Sequence, residues 1–237
     1  RHICLAYGEL LHEVGKTEDA LRVFQEGQLG CEQTDDMECL QIQMGFATVA
    51  ANLFVERAQI VATRVAEKLL TLPPQNTWND LLQLVKLAIN KKWFSLGLTW
   101  IERWEQVIAH PPAGQLNDWE RDVAKMRCLI GQGNIGAAIA IGEQVLKTME
   151  GKSHWRAAAR INEELVRCHM INSDFTKAQM RLQTHVAALR FLGDRQALVE
   201  AQLRLASLDA ENRVSWAQEA LTLARKIGFV EGVTHAH

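Results

Sequence analysis

Proline is scarce, with four residues in 237, while alanine, leucine and glutamine are frequent. That balance disfavours an all-β protein and favours long helices. Aromatic residues are few, at 6%. The formal net charge is only −2, which disfavours a nucleic-acid binder that works by overall positive charge. No apolar run approaches the roughly 20 residues that a membrane-spanning helix needs. Cysteine is odd in number, at five, with no CxxC pair. In a chain long enough to build a core, this reads as reduced thiols in a cytoplasmic protein. The chain starts at Arg1 without a methionine, so it reads as part of a larger protein, and a missing leader carries no weight. At 48% hydrophobic and 23% charged, the chain has enough apolar material to fold and no signature of disorder.

What is present is a repeat. Segments with a turn residue, a small residue and a large residue four positions later recur along the chain. The first runs from Gly15 through Ala20 to Phe24, and another runs from Asn172 through Ala178 to Leu182. The small anchors are Ala20, Ala58, Gly97, Ala138, Ala178 and Ala217, at separations of 38, 39, 41, 40 and 39. Six units of about 39 residues account for the whole length. Each unit reads as two helices. In the first unit, Leu5, Leu10, Leu11 and Val14 keep a helical period that Gly15 closes; Ala20, Leu21, Phe24 and Leu29 keep another that ends at Gly30. The prolines form two pairs, Pro73-Pro74 and Pro111-Pro112, each placed between units, where a helix must stop. The expected architecture is all-α, with each hairpin burying its apolar face against its neighbours. The units fall at about 1–38, 39–77, 78–117, 118–157, 158–196 and 197–234, as one domain spanning 1–237.

At several places the sequence offers the outline of a chemical motif and withholds the rest. Gly131 to Gly136 matches GxGxxG, but the residues before it, Val123 to Ile130, form an amphipathic helix instead of the strand a dinucleotide site requires. Gly15-Lys16-Thr17 resembles the end of a phosphate loop, but Leu10 stands where its first glycine would be. His12-Glu13 lacks the second histidine of a zinc helix, because that place holds Lys16. Cys168 and His169 are adjacent on a helix and so do not face each other. Cys128 and Cys168 share one repeat position with Leu10 and read as core. Trp93, Trp100 and Trp104 form a helical stripe that also reads as core. Nothing assembles a nucleophile, base and oxyanion set, so no catalytic residue, cofactor or metal is expected.

The first unit resembles the tetratricopeptide (TPR) family, with Gly8, Leu11, Gly15, Ala20, Phe24 and Gly27 at its small and large positions. The resemblance weakens later, where Gly142 replaces the large residue at the place of Phe24. The longer unit, with phrases such as Ala220-Leu221-Thr222-Leu223-Ala224, is similar to the helical repeats of MalT-like, LuxR-type ATP-dependent bacterial transcription activators. The TPR resemblance implies an α-solenoid, a right-handed superhelix whose first helices line a concave groove. The MalT-like one implies an effector- or partner-binding segment of a regulator that has nucleotide-binding and helix-turn-helix domains elsewhere. The alternative is a stand-alone TPR adaptor or co-chaperone that grips an acidic peptide.

The groove can be read by counting each unit from its anchor as place 20. Place 9 then reads Glu9, Ala47, Lys86, Arg127, Arg167 and Ala206, so three consecutive units present a cation. Place 5 includes Gln43, Glu163 and Gln202, and place 2 includes Asn79 and Arg160. A cation ladder with amides nearby suits carboxylates or phosphates. The expected contact set is therefore Gln43, Asn79, Lys86, Arg127, Arg160, Glu163, Arg167 and Gln202. The expected partner is a protein, a peptide or a small anionic effector, with self-association open and no direct contact with nucleic acid or membrane.

Overall fold

A computed structural model describes residues 2–29, 31, 36–107, 118–149 and 154–229, without the side chains of 74–76 and 118. Among these residues there are twelve α-helices and no strand. The chain divides into two compact units, Arg1–Leu116 and Asn117–His237.

The first unit holds three hairpins: α1 (His2–Glu13) with α2 (Thr17–Leu29), α3 (Met37–Ala50) with α4 (Val55–Leu69), and α5 (Pro74–Asn90) with α6 (Phe94–Val107). Within it, α2 packs on α3 and α4 on α5. The second unit holds α7 (Asp118–Gly131) with α8 (Ile135–Thr148), α9 (Trp155–Ile171) with α10 (Phe175–Leu192), and α11 (Arg195–Leu208) with α12 (Arg213–Ile227). There α8 packs on α9 and α10 on α11. The fold class is the expected one, an all-α α-solenoid of TPR-like hairpins.

Four of the six turns within hairpins are built alike. The amide N–H groups of Lys16, Trp93, Asn134 and Asp174 donate to carbonyls five residues back, and those of Gly15, Lys92, Gly133 and Ser173 donate three residues back. This is the Schellman helix ending, which requires a left-handed residue. Gly15 and Gly133 supply it with φ of 78° and 80°, and Lys92 and Ser173 adopt it at 62° and 57°. The two apparent nucleotide motifs are thus turns between helices. The buried anchor follows five residues later in each case: Ala20, Gly97, Ala138 and Ala178.

The sixth hairpin departs from the expectation. Its turn is organised by Asp209, a buried carboxylate that accepts from the Asn212 backbone N–H, the Asn212 side-chain amide and the Trp216 indole N–H at 3.1–3.3 Å. Those bonds, led by the Trp216 indole, hold its pKa below the ordinary carboxylate value. This turn shifts the register. Trp216 makes the first i→i−4 bond of α12, Ala217 is only partly buried, and Ala220 is the fully buried small residue. The sixth anchor is therefore corrected.

Other expectations are settled by burial. Of the tryptophan stripe, Trp100 and Trp104 are buried core and Trp93 is only partly buried; Trp78 is buried against Trp104, with ring centroids 4.1 Å apart. Pro74 opens α5 at its first turn, where a missing N–H costs nothing. Pro111-Pro112 and Gly30 lie outside the described residues. Cys128 and Cys168 are buried core thiols, and burial pushes their pKa values up to about 12 and about 11. Leu10, at the same place in α1, is 53% exposed, because no described helix covers that side of α1; Val14 and Leu29 are exposed as well. The reading of all five cysteines as reduced is corrected. Cys31 and Cys39 form a disulfide that ties the end of α2 to the start of α3, leaving Cys4, Cys128 and Cys168 as free thiols. No helix among the described residues is long and apolar enough to cross a membrane.

Candidate functional site

Two of the three cations of the expected ladder meet on one buried acid. Glu164 on α9 is 1% exposed. Its Oε1 accepts from Arg127 Nε of α7 at 2.5 Å. Its Oε2 lies 3.5 Å from Arg167 Nη1, an ion-pair distance without a hydrogen bond. An uncompensated carboxylate at that depth would be very costly, so both guanidinium groups are held by it. Glu164 was missed by sequence reasoning. It sits between Glu163 and Leu165, where a buried carboxylate looks like one more surface acid. Its signal is the pair of arginines, one at i+3 and one in the preceding unit.

The remaining expected residues scatter. Lys86 is on the exposed face of α5 in the first unit and is not without a partner. Ala47 and Ala206, at the same place in their units, are buried and unavailable to a ligand. Asn79 is exposed. Gln43 lines a cavity of about 700 Å3 with Arg22, Arg57 and Arg64, on the side of α3 that faces α2 and α4. Gln202 is buried and donates from Nε2 to Glu219 of α12 at 2.8 Å. It therefore faces the partner helix of its own hairpin, as Gln43 does at the same place of its unit.

Arg160 and Glu163 do come together. They are 3.2 Å apart and line a cavity of about 300 Å3 between α9 and α11, floored by α10. Arg156 and Arg204 stand on its two walls with no hydrogen bond or ion pair from their side chains among the described residues. Glu200 and Asp194 add negative charge, and Ala159, Leu189 and Ala201 give an apolar lining. His185 of α10 forms part of the floor and is 8% exposed. Its Nδ1 lies 2.8 Å from the Ala159 carbonyl oxygen, which can only accept, so Nδ1 carries the hydrogen. Burial pushes the His185 pKa down, which favours the neutral ring. In that form Nε2 is an acceptor, and no protein group among the described residues fills it. The site can thus accept one hydrogen bond at its floor and pair an anion at its rim. At the edge, Trp155 and Phe191 stack with centroids 4.6 Å apart and stay partly exposed.

Among the described residues no group of three or more His, Cys, Asp or Glu side chains could hold a metal ion.

No protein-family model and no curated protein matches the chain. Solved structures do. One is a single-residue variant of a protein from Podospora anserina, described as a kinesin light chain with nearly identical TPR-like repeats: 15% identity, TM-score 0.67, covering 81% of this chain and 96% of that one. Another is aspartyl phosphate phosphatase F from Bacillus subtilis: 8% identity, TM-score 0.68, covering 98% of this chain and 76% of that one. A third is a Rap protein complexed with competence and sporulation factor: 10% identity, TM-score 0.53, covering 99% and 85%. At these identities the likeness is one of fold, a TPR-like helical repeat.

Proposed function

We propose that this chain is a non-enzymatic binding module for a protein or peptide partner, with the cavity between α9 and α11 as a principal contact. The observation that carries the reading is a nearly buried, open histidine acceptor beside two arginines that no described group pairs, over an apolar floor. That combination fits an extended peptide: a main-chain N–H for His185 Nε2, and a carboxylate for Arg156 or Arg204. A Rap protein of this fold has been solved with competence and sporulation factor bound, which supports a ligand-binding use of the fold. The partner class is an acidic peptide, with a small anionic effector as the variant that uses the arginines alone.

The test is fluorescence polarisation against a library of labelled acidic hexapeptides, with neutral and basic hexapeptides as controls. Acidic members should bind selectively, and Arg156→Glu with Arg204→Glu should weaken them at least tenfold. Binding that ignores both changes, or that favours basic peptides at this cavity, overturns the proposal. The parallel test of the wider ladder is Lys86→Glu with Arg127→Glu, which loses binding only if the partner extends to those residues.

The narrower form of the proposal is the sensing segment of a MalT-like cytoplasmic transcription regulator, and its support is the long repeat unit. A parent chain with no nucleotide-binding or DNA-binding domain would end that narrower form and leave the adaptor reading. Treating all six hairpins as one domain belongs to the same proposal, prompted by the recurring unit length. A single cooperative transition in urea supports it, and two separate transitions refute it.

A further inference from the structure

In the first unit the first helices of all three hairpins, α1, α3 and α5, wall a cavity of about 400 Å3. Its polar lining is Glu9 and His12 from α1, Gln41 and Thr48 from α3, and Asp80 and Gln83 from α5, over Met44 and the ring of Phe24. No lysine or arginine lines it among the described residues. Asp80 is half-buried there, and its carboxylate accepts a hydrogen bond from the Gln41 side chain. Burial raises its pKa above the ordinary carboxylate value, with the Gln41 bond only partly opposing it. A carboxylate drawn out of water beside a second acid, two amides and a hydroxyl, with no cation lining the same cavity, is a site short of positive charge.

We propose that this cavity is a recognition site for a guanidinium group, the side chain of an arginine on a partner protein or peptide. A guanidinium is planar and carries five donors, two of which match one carboxylate in parallel. Asp80 takes that fork, and the carbonyl oxygens of Gln41 and Gln83, the Thr48 hydroxyl and Glu9 offer acceptors for the remaining N–H groups. The aliphatic stem of the arginine lies on Met44 and the Phe24 ring. A lysine ammonium fits less well, because its three donors radiate from a point and cannot use the spread of acceptors. The site is of opposite sign to the cavity between α9 and α11, and it stands whether or not that cavity binds an acidic peptide.

The charged and titratable groups on the cavity wall are Asp80 from α5 and Glu9 and His12 from α1, with none from α2 or α3. Deprotonating Asp80, whose pKa burial raises, adds negative charge to the cavity. Binding therefore strengthens as pH rises from 4 to 7.

The experiment is an NMR titration of the whole 15N-labelled chain with Ac-Gly-Arg-Gly-NH2, its Lys and Glu counterparts, and spermidine. The arginine peptide should shift the amides of Gln41, Met44, Asp80 and Gln83. It should bind several-fold more tightly than the lysine peptide, and more tightly at pH 7 than at pH 4. Asp80→Asn, nearly isosteric, should weaken it at least tenfold while leaving amide positions outside the cavity in place. Glu9→Gln should weaken it less, and Arg204→Glu should leave it unchanged. Shifts located elsewhere, unchanged affinity in Asp80→Asn, or equal binding of the glutamate peptide overturns the site. Spermidine matching the arginine peptide overturns the assignment to an arginine side chain in favour of a free polyamine.

Discussion

Phe24 in the first unit and Gly142 in the second stand at the same place of the repeat, and their surroundings are exchanged in size to match. Phe24 is buried against Gly8 of its own hairpin and Gly45 of the next; a Cβ at either glycine would meet the ring at 2.7 and 2.5 Å. At the places equivalent to Gly8 and Gly45 the second unit carries Met126 and Leu165, and the residue between them is Gly142, where a Cβ would meet Leu165 at 2.8 Å and Met126 at 2.9 Å. One junction is a large residue between two small ones, and the other a small residue between two large ones. The repeat conserves the volume of the junction, not the residue at any one place, as interior packing density requires.

The comparison breaks most visibly at Phe24. Phe24→Ala removes the large residue of its junction, and neither glycine can fill the gap. We expect a loss of about 3–5 kcal/mol, read as a lower urea midpoint. Gly45→Ala should cost more than Gly142→Ala, within a range of about 1–3 kcal/mol for overpacking. At Gly45 the obstacle is a rigid ring. At Gly142 it is the far ends of a leucine and a methionine, which can swing aside. If Gly142→Ala proves the costlier of the two, the size-exchange account is wrong.

That exchange marks how far the sequence could be read. The six-fold period, the hairpins and their glycine turns were legible, because each needs a residue type at a fixed spacing: a left-handed turn residue at Gly15 or Gly133, and a small anchor five residues on. Gly142 read as a departure from pattern, because the compensating Leu165 is 23 residues away and on another helix. The same limit hid the acid beneath the cation ladder. Place counting found Arg127 and Arg167, but their shared partner Glu164 lies at a different place of the unit. Gln202 was assigned to the groove by counting back from its anchor, but its side chain is buried against Glu219 of its own hairpin, a contact that place counting does not reveal. The disulfide between Cys31 and Cys39 joins two hairpins and has no motif of its own.

The two units differ also in where they place buried charge. Glu164 is the buried anchor of the second unit, and Glu164→Gln removes the charge that holds Arg127 and Arg167 while keeping the shape. We expect a loss of about 1.5–3 kcal/mol, the range for hydrogen bonds to charged groups. Arg127 and Arg167 are 34% and 58% exposed, so water recovers part of their solvation and keeps the cost below that of a fully buried pair. A midpoint unchanged in Glu164→Gln would show that the cluster contributes nothing to stability.

Acid should weaken the second unit through its two buried histidines. Burial lowers the pKa of both His169 and His185 below the ordinary value of 6.5. The unfolded chain then binds protons at a higher pH than the folded one. Stability from these groups is therefore full above about pH 6.5 and falls as pH drops toward the folded values. His185→Gln keeps a donor for the Ala159 carbonyl and removes the titration. Urea midpoints measured between pH 5 and 7.5 should show a shallower slope in this variant than in the wild type. An identical slope would mean that the ring stays as exposed to protons folded as unfolded.

The smallest effect concerns what the two units share. Each has one Schellman turn inside a hairpin closed by glycine, at Gly15 and Gly133, and one closed by a residue with a side chain, Lys92 and Ser173, at the same left-handed backbone angles. A Cβ in that region crowds the following carbonyl, a strain that glycine avoids. Replacing Lys92 or Ser173 by glycine relieves the strain in the folded state, while greater freedom in the unfolded chain takes back part of the gain. We expect a net stabilisation of about 0.5–1 kcal/mol from each change, and the two should add, because they lie in separate units. Equal gains at Lys92 and Ser173 would show that the turn is a common part, indifferent to which junction it serves. A gain at one and a loss at the other would show that its side chain has been enlisted locally, with Ser173, beside the Asp174 cap of α10, as the place to look first.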